Sequence, residues 1–160
     1  MAKPFDTSFL KAKEYAFFLL KFRLRSEKEL YERLIKKKFS EEVSRKVVSF
    51  LKEKQFLDDS AFTKAWVSFR LKQPFGFKRI VNELRQKGIN KLIIENRIEK
   101  AKKGYSETEI VKDLAIAKLA KFKNIDPVKA RNRTFAYLVR RGFSPETVMD
   151  ILNTICKQTL

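Results

Sequence analysis

A short phrase occurs three times in this chain and limits its fold more than any other feature. It reads Leu34-Ile35-Lys36-Lys37-Lys38-Phe39-Ser40, then Leu84-Arg85-Gln86-Lys87-Gly88-Ile89-Asn90, then Leu138-Val139-Arg140-Arg141-Gly142-Phe143-Ser144. Each copy has an apolar anchor, a cation three residues on, a helix-stop position, an apolar residue and a capping residue. Glycine just past a helix takes positive φ and closes the end, and a cation in the last turn suits the negative end of the dipole. Ser or Asn then caps the next helix. The phrase therefore predicts a helix–turn–helix corner. The copies begin at residues 34, 84 and 138, a period near 50 that predicts an array of supersecondary units. Lys38 stands where the other copies have glycine, so a different or strained turn is expected there.

Between the corners, apolar residues recur at helical spacing and no segment sustains two-residue alternation. The first helix is predicted from about Phe9 to Leu24, with Phe9, Tyr15, Phe18, Leu19 and Phe22 on one apolar face. Ser26 and Glu29 form a capping box for the second helix, whose inner stripe is Leu30, Tyr31 and Leu34. Val43, Val47, Phe50 and Leu51 carry the third. Leu57-Asp58-Asp59-Ser60 is a staple and cap before Phe62, Trp66 and Phe69, and Pro74-Phe75-Gly76 stops that helix. Ile80, Val81 and Leu84 face inward in the next, followed by Ile93, Ile94, Ile98 and Ala101 up to Gly104. Ser106 and Glu109 make a second capping box before a helix to about Lys123. Asp126-Pro127 gives a cap and first-turn proline. Phe135, Leu138, Val148, Ile151, Leu152 and Ile155 complete the pattern. The expected fold is all-α: about nine helices in three tandem three-helix repeats, residues 1–57, 58–104 and 105–160. The expected form is an elongated, curved array with mostly local contacts.

Composition narrows the function classes. The chain has no histidine, hence no ordinary general base near neutral pH and no histidine metal ligand. Its one cysteine, Cys156, excludes an internal disulfide and a cysteine-rich zinc site, is consistent with a reducing compartment, and falls on the apolar stripe of the last helix. No phosphate loop or dinucleotide fingerprint occurs. Asp58-Asp59 could hold Mg²⁺, but acids just before an apolar stripe read more readily as a cap. Tyr105 has no patterned basic partners and is taken as packing. Met1 to Ser8 lacks the apolar stretch of a signal peptide, and the longest apolar run, Tyr15 to Leu20, is too short to span a bilayer. A soluble, cytoplasmic, non-enzymatic protein without metal or cofactor is expected.

Binding is better supplied. The net charge is +18, from 37 Lys+Arg against 19 Asp+Glu, and it is spread along the chain rather than held in a tail. Such a field draws polyanions or an acidic protein surface. The candidate contacts are Arg23 and Arg25 after the first helix, and Lys36, Lys37 and Lys38 at the first corner. Arg70, Lys72, Lys78 and Arg79 surround the Pro74-Phe75-Gly76 break. Arg85 and Lys87 follow, with Arg131, Arg133, Arg140 and Arg141 along the eighth helix. Solvated faces and dipole complementation account equally for Lys37, Lys87 and Arg141. Phe75 and Phe77 flank Gly76, either as an exposed platform or as core plugs. The cations are scattered rather than gathered on one recognition helix, which argues against sequence reading.

Several phrases together resemble the bacterial RecX family. They are Leu24-Arg25-Ser26-x-x-Glu29-Leu30, Leu57-Asp58-Asp59-Ser60-x-Phe62, Gly76-x-x-Arg79-Ile80-x-x-Glu83-Leu84-x-x-Lys87-Gly88-Ile89 and Arg141-Gly142-Phe143. The likeness spans roughly residues 10–155, in order. It implies a non-enzymatic regulator that lodges in the groove of the RecA filament on single-stranded DNA. There it would limit filament growth and suppress ATPase, strand-exchange and co-protease activity, within DNA repair, recombination and the SOS response. The implied partners are the RecA filament and single-stranded DNA, with double-stranded DNA as a further target and no membrane. The expected state is a monomer. The alternatives are a general basic DNA-binding protein and a small scaffolding solenoid.

Overall fold

The computed structural model describes residues 4–157. Among these are nine α-helices, one short 3₁₀ turn and no strand. The helices are α1 (Pro4–Phe22), α2 (Glu27–Lys36), α3 (Glu41–Glu53), α4 (Asp59–Leu71), α5 (Phe77–Gln86), α6 (Lys91–Lys102), α7 (Glu107–Leu119), α8 (Pro127–Arg140) and α9 (Pro145–Lys157). The chain forms two compact units, Met1–Trp66 with Leu84–Glu95, and Val67–Glu83 with Asn96–Leu160. The first holds a core of Ala12, Ala16, Leu19, Leu30, Leu34, Val43, Val47, Leu51 and Leu57. The second holds Val111, Ala115, Leu138, Phe143, Val148 and Leu152.

The three repeated phrases close their helices by one hydrogen-bond pattern. The Phe39 N–H donates to the Leu34 carbonyl and Lys38 N–H to Ile35. Ile89 and Gly88 do the same to Leu84 and Arg85, and Phe143 and Gly142 to Leu138 and Val139. This is the Schellman closure, in which the apolar anchor and the apolar residue after the stop are brought together. Lys38 makes the same turn as the glycines, with φ of 74° against 77° at Gly88 and 90° at Gly142. The turn is therefore not different but strained, because a side chain sits in the left-handed region. A fourth closure ends α3, where Phe56 and Gln55 donate to Leu51 and Lys52 and Gln55 has φ of 60°.

What surrounds each corner explains which residue it carries. In the first unit the start of α2 rests on the α5 corner: Ser26 Oγ donates to the Lys87 carbonyl at 2.7 Å and Lys28 Nζ to Gln86 at 3.0 Å. In the second, the start of α5 rests on the α8 corner, Gly76 N–H donating to Arg141 at 3.0 Å and Lys78 N–H to Gly142 at 3.2 Å. A Cβ on Gly88 would lie 2.7 Å from Lys28 Cβ, and one on Gly142 2.4 Å from Arg79 Cβ. A Cβ on Gly76 would meet the Gly142 carbonyl oxygen at 2.2 Å. Gly88 and Gly142 answer to packing as well as to φ, and Gly76 to packing alone. Lys38 is exposed and answers to φ alone.

A second device recurs. Asp59, the first residue of α4, accepts the Glu27 N–H that opens α2 at 2.9 Å, and Glu107, the first of α7, accepts the Phe77 N–H that opens α5 at 2.6 Å. Each acid thus satisfies a donor with no partner inside its own helix. Burial pushes both carboxyls up, outweighing the hydrogen bonds they accept. The first residue of α8 is Pro127, which has no N–H to satisfy.

Elsewhere the structure redraws the apolar faces. The core face of α1 is Ala12, Ala16 and Leu19, while Phe18 and Phe22 are 56% and 69% exposed and pack edge-on against each other. Small residues let α1 approach α3 closely, which the count of phenylalanines concealed. Phe69 is exposed, Cys156 is only half-buried, and Ser106 accepts the Glu109 N–H without the return bond of a full capping box. The first box, Ser26 with Glu29, is complete.

Replacing Gly142 or Gly88 by alanine should cost at least ~2 kcal/mol, since positive φ and a blocked close approach combine. Lys38→Gly should instead raise stability by up to ~1 kcal/mol, the relieved strain exceeding the added chain entropy. Urea unfolding midpoints measure both, and equal losses at all three corners would refute the docking account.

Candidate functional site

In the first unit Arg23, Arg25 and Lys87 are already engaged. Glu29 accepts from Arg23 at 3.0 Å and from Lys87 at 2.5 Å, and Lys87 Nζ also lies 4.2 Å over the Trp66 ring. Burial pushes the Glu29 carboxyl up, but hydrogen bonds and charge from Arg23 and Lys87 outweigh it and hold it below the ordinary glutamate range. Arg25 reaches the Leu19 carbonyl, and burial lowers its guanidinium. Lys36, Lys37 and Arg85 are exposed, with Lys37 Nζ 5.5 Å over Tyr15. Asp58 and Asp59 line a cavity of about 520 Å³ with Glu27 and Lys52. Asp58 accepts from Ser60 and Ala61 N–H groups, so it is a cap. Among the described residues no group of three or more His, Cys, Asp or Glu is placed to hold a metal ion.

In the second unit the loop Pro74–Gly76 gathers what the sequence scatters. Gly76 fixes the loop against the α8 corner, and Tyr105 donates its hydroxyl to the Phe75 carbonyl at 3.2 Å. The half-buried Phe75 ring then carries three guanidinium groups. Arg79 lies 4.0 Å from its centroid, Arg141 5.2 Å and Arg70 5.4 Å. Cation–π contacts of this kind are worth roughly 0.5–2 kcal/mol each according to solvation. Glu83 holds the cluster together. It accepts two 2.7 Å bonds from Arg70 and one of 3.1 Å from Arg79. Arg70 and Glu83 are both largely buried side chains, so their fork-to-carboxylate pair is screened little by water. Phe77 is buried, edge-on to Tyr105. Of the two phenylalanines, Phe75 is the platform and Phe77 the plug.

Lys72 and Lys78 are exposed beside this cluster in sequence. On α8, Arg131 donates to Asn153 Oδ1 at 2.6 Å, Arg133 and Arg140 are exposed, and Arg141 belongs to the Phe75 cluster. Two structural residues escaped sequence reasoning. Glu83 is four residues after Arg79, a spacing that signals an ion pair, but its tighter partner lies thirteen residues back across the helix break. Lys118 carries no motif; Phe122 lies four residues on, at helical spacing, and Tyr137 joins the pair only through packing.

Models of the first, second and third three-helix domains of RecX match residues 12–51, 58–96 and 103–152 of this chain. The Regulatory protein RecX of Chlorobium phaeobacteroides (strain BS1) is 32% identical over 151 residues, covering 94% of this chain and 97% of that protein. The protein of the same description from Clostridium acetobutylicum is 29% identical over 156 residues, covering 94% and 71%. Among solved structures, the crystal structure of RecX from Lactobacillus salivarius superposes with a TM-score of 0.75 at 22% identity, covering 96% of this chain and 97% of that one.

Removing one partner of the buried fork should be costly. Arg70→Met is expected to lose ~1–3 kcal/mol, read from urea unfolding, because it leaves Glu83 half-satisfied. Changing both Arg70 and Glu83 to apolar residues should cost less than that single change. Glu29 gives a pH signature. Its folded-state carboxyl titrates below the unfolded one, so its contribution is present above the ordinary glutamate range and is lost as pH falls through the folded value. Glu29→Gln should be less stable at pH 7 and lose less on acidification, followed by thermal melts from pH 7 to pH 3.

Proposed function

This chain belongs to the RecX family of regulatory proteins, and from that premise we propose that it is a non-catalytic modulator of the RecA filament on single-stranded DNA. In this reading it lodges in the filament groove, limits filament growth and suppresses ATPase, strand exchange and co-protease activity. The observation that carries the reading is the Phe75 cluster: a half-exposed ring carrying Arg70, Arg79 and Arg141, with Glu83 as a built-in counter-charge to Arg70 and Arg79. An aromatic ring ringed by arginines is the composition of an interface hot spot for an acidic partner. The +18 charge adds long-range attraction to such a surface and to DNA phosphates. Among the described residues no helix is long and apolar enough to cross a membrane.

The assay is RecA ATPase on single-stranded DNA, titrated with this protein, beside its binding to the same DNA alone. Inhibition well below DNA saturation is the expected result, and inhibition only at saturation would favour direct competition for DNA. The combined change Phe75→Ala, Lys72→Glu and Lys78→Glu should raise the half-inhibitory concentration ~10-fold or more, with helicity by circular dichroism retained. Unchanged inhibition would remove this surface from the interface. Arg70 is left unaltered in that variant because it serves the fold through Glu83.

A further inference from the structure

Along α8, Arg133, Ala136, Tyr137 and Arg140 recur at helical spacing and share one face. That face meets Lys118 of α7 and Phe122 of the 3₁₀ turn that follows it, and the six residues line a groove of about 310 Å³. Lys118 Nζ lies 4.6 Å from the Tyr137 centroid and 5.4 Å from Phe122, and the Arg133 guanidinium 5.9 Å from Phe122. No carboxylate lines this groove. Among the described residues, none of Lys118, Arg133 and Arg140 forms an ion pair. The Phe75 cluster differs on this point, since Glu83 supplies its counter-charge from within. Here the anion has to come from outside.

The shape of the charge selects the anion. The floor is aromatic and half-exposed, with Lys118 lying over both rings and Arg141 5.2 Å from the Tyr137 centroid, so a flat ring of any identity stacks there by displacing the flexible Lys118 side chain. Arg133 and Arg140 are two helical turns apart, roughly 10 Å by the helical rise, with Tyr137 between them. One stacked base would thus have a cation available for the phosphate on either side. A nucleotide within a strand carries phosphates on both sides, whereas a free mononucleotide carries them on one. Bases in a duplex are stacked on one another and cannot reach the floor.

We propose that this groove seats one unpaired nucleotide of a single-stranded nucleic acid, its base on Phe122 and Tyr137 and its flanking phosphates at Arg133 and Arg140. The inference rests on the filament reading for its setting, because that reading puts single-stranded DNA beside the protein, but it is tested without the recombinase. Failure here would overturn the groove and leave the Phe75 variants to decide the filament.

The test is fluorescence anisotropy of a labelled oligothymidine strand at low salt, with the corresponding duplex as control. Phe122→Leu keeps apolar volume and removes the flat ring. It should weaken single-strand binding roughly 5-fold or more and leave duplex binding unchanged. Equal weakening of both, or no weakening, overturns the proposal. Displacement of the strand by thymidine monophosphate or polyglutamate at matched phosphate or carboxylate concentration also overturns it, in favour of a free nucleotide or an acidic peptide. A strand carrying 5-iodouracil, photo-crosslinked to the unaltered protein, covers the case where Phe122→Leu fails to fold. Adducts at Phe122 or Tyr137 support the groove, and adducts only elsewhere overturn it.

Discussion

Everything in this structure depends on how closely a helix start can approach the corner that ends a later helix. Ser26 on the Lys87 carbonyl and Gly76 on the Arg141 carbonyl are the same contact made twice, each within its own unit. Both place a helix-end carbonyl against a donor at a helix N-terminus, the Ser26 hydroxyl in one case and the Gly76 N–H in the other. The bonds form only because the corners carry glycine, and in the second unit the approaching residue is itself a glycine. Close backbone approach is what ties the repeats, and apolar cores fill in around it.

The charge of the chain follows from the same geometry. Helix ends attract cations, so each corner collects lysine or arginine, and once in place these side chains find rings and carboxylates nearby. Lys87 is drawn onto Trp66 and Glu29, and Arg141 onto Phe75 and Tyr137. A large positive total therefore says less about binding than the location of the cations without a carboxylate.

The helices, the three corners and most caps were legible in the sequence, because each rests on local rules that a stretch of seven residues can state. The Schellman closures follow from Leu34, Leu84 and Leu138 and the residues after them. On α1 the pattern placed Leu19 in the core and Phe9 and Tyr15 against it, but it misread Phe18 and Phe22 and passed over Ala12 and Ala16, because aromatic bulk outweighed the small residues that close packing favours. The Phe75 cluster was only half legible. Phe75 and Arg79 advertise themselves around the break, but that Arg70, Glu83 and Arg141 converge on them is a tertiary fact. The same limit hid Lys118, whose only distinction is the pair of rings beneath it.

The unequal corners have a consequence for modularity. Lys38 is tolerated where its side chain has open solvent, whereas Gly88 and Gly142 stand under an incoming helix. The first repeat is thus not interchangeable with the others despite sharing their turn. A duplicated copy of it, spliced downstream, would present a lysine to the helix meant to dock there. Internal duplication of this chain would have to begin with that residue, and the order of the repeats is written in which corners can do without a side chain.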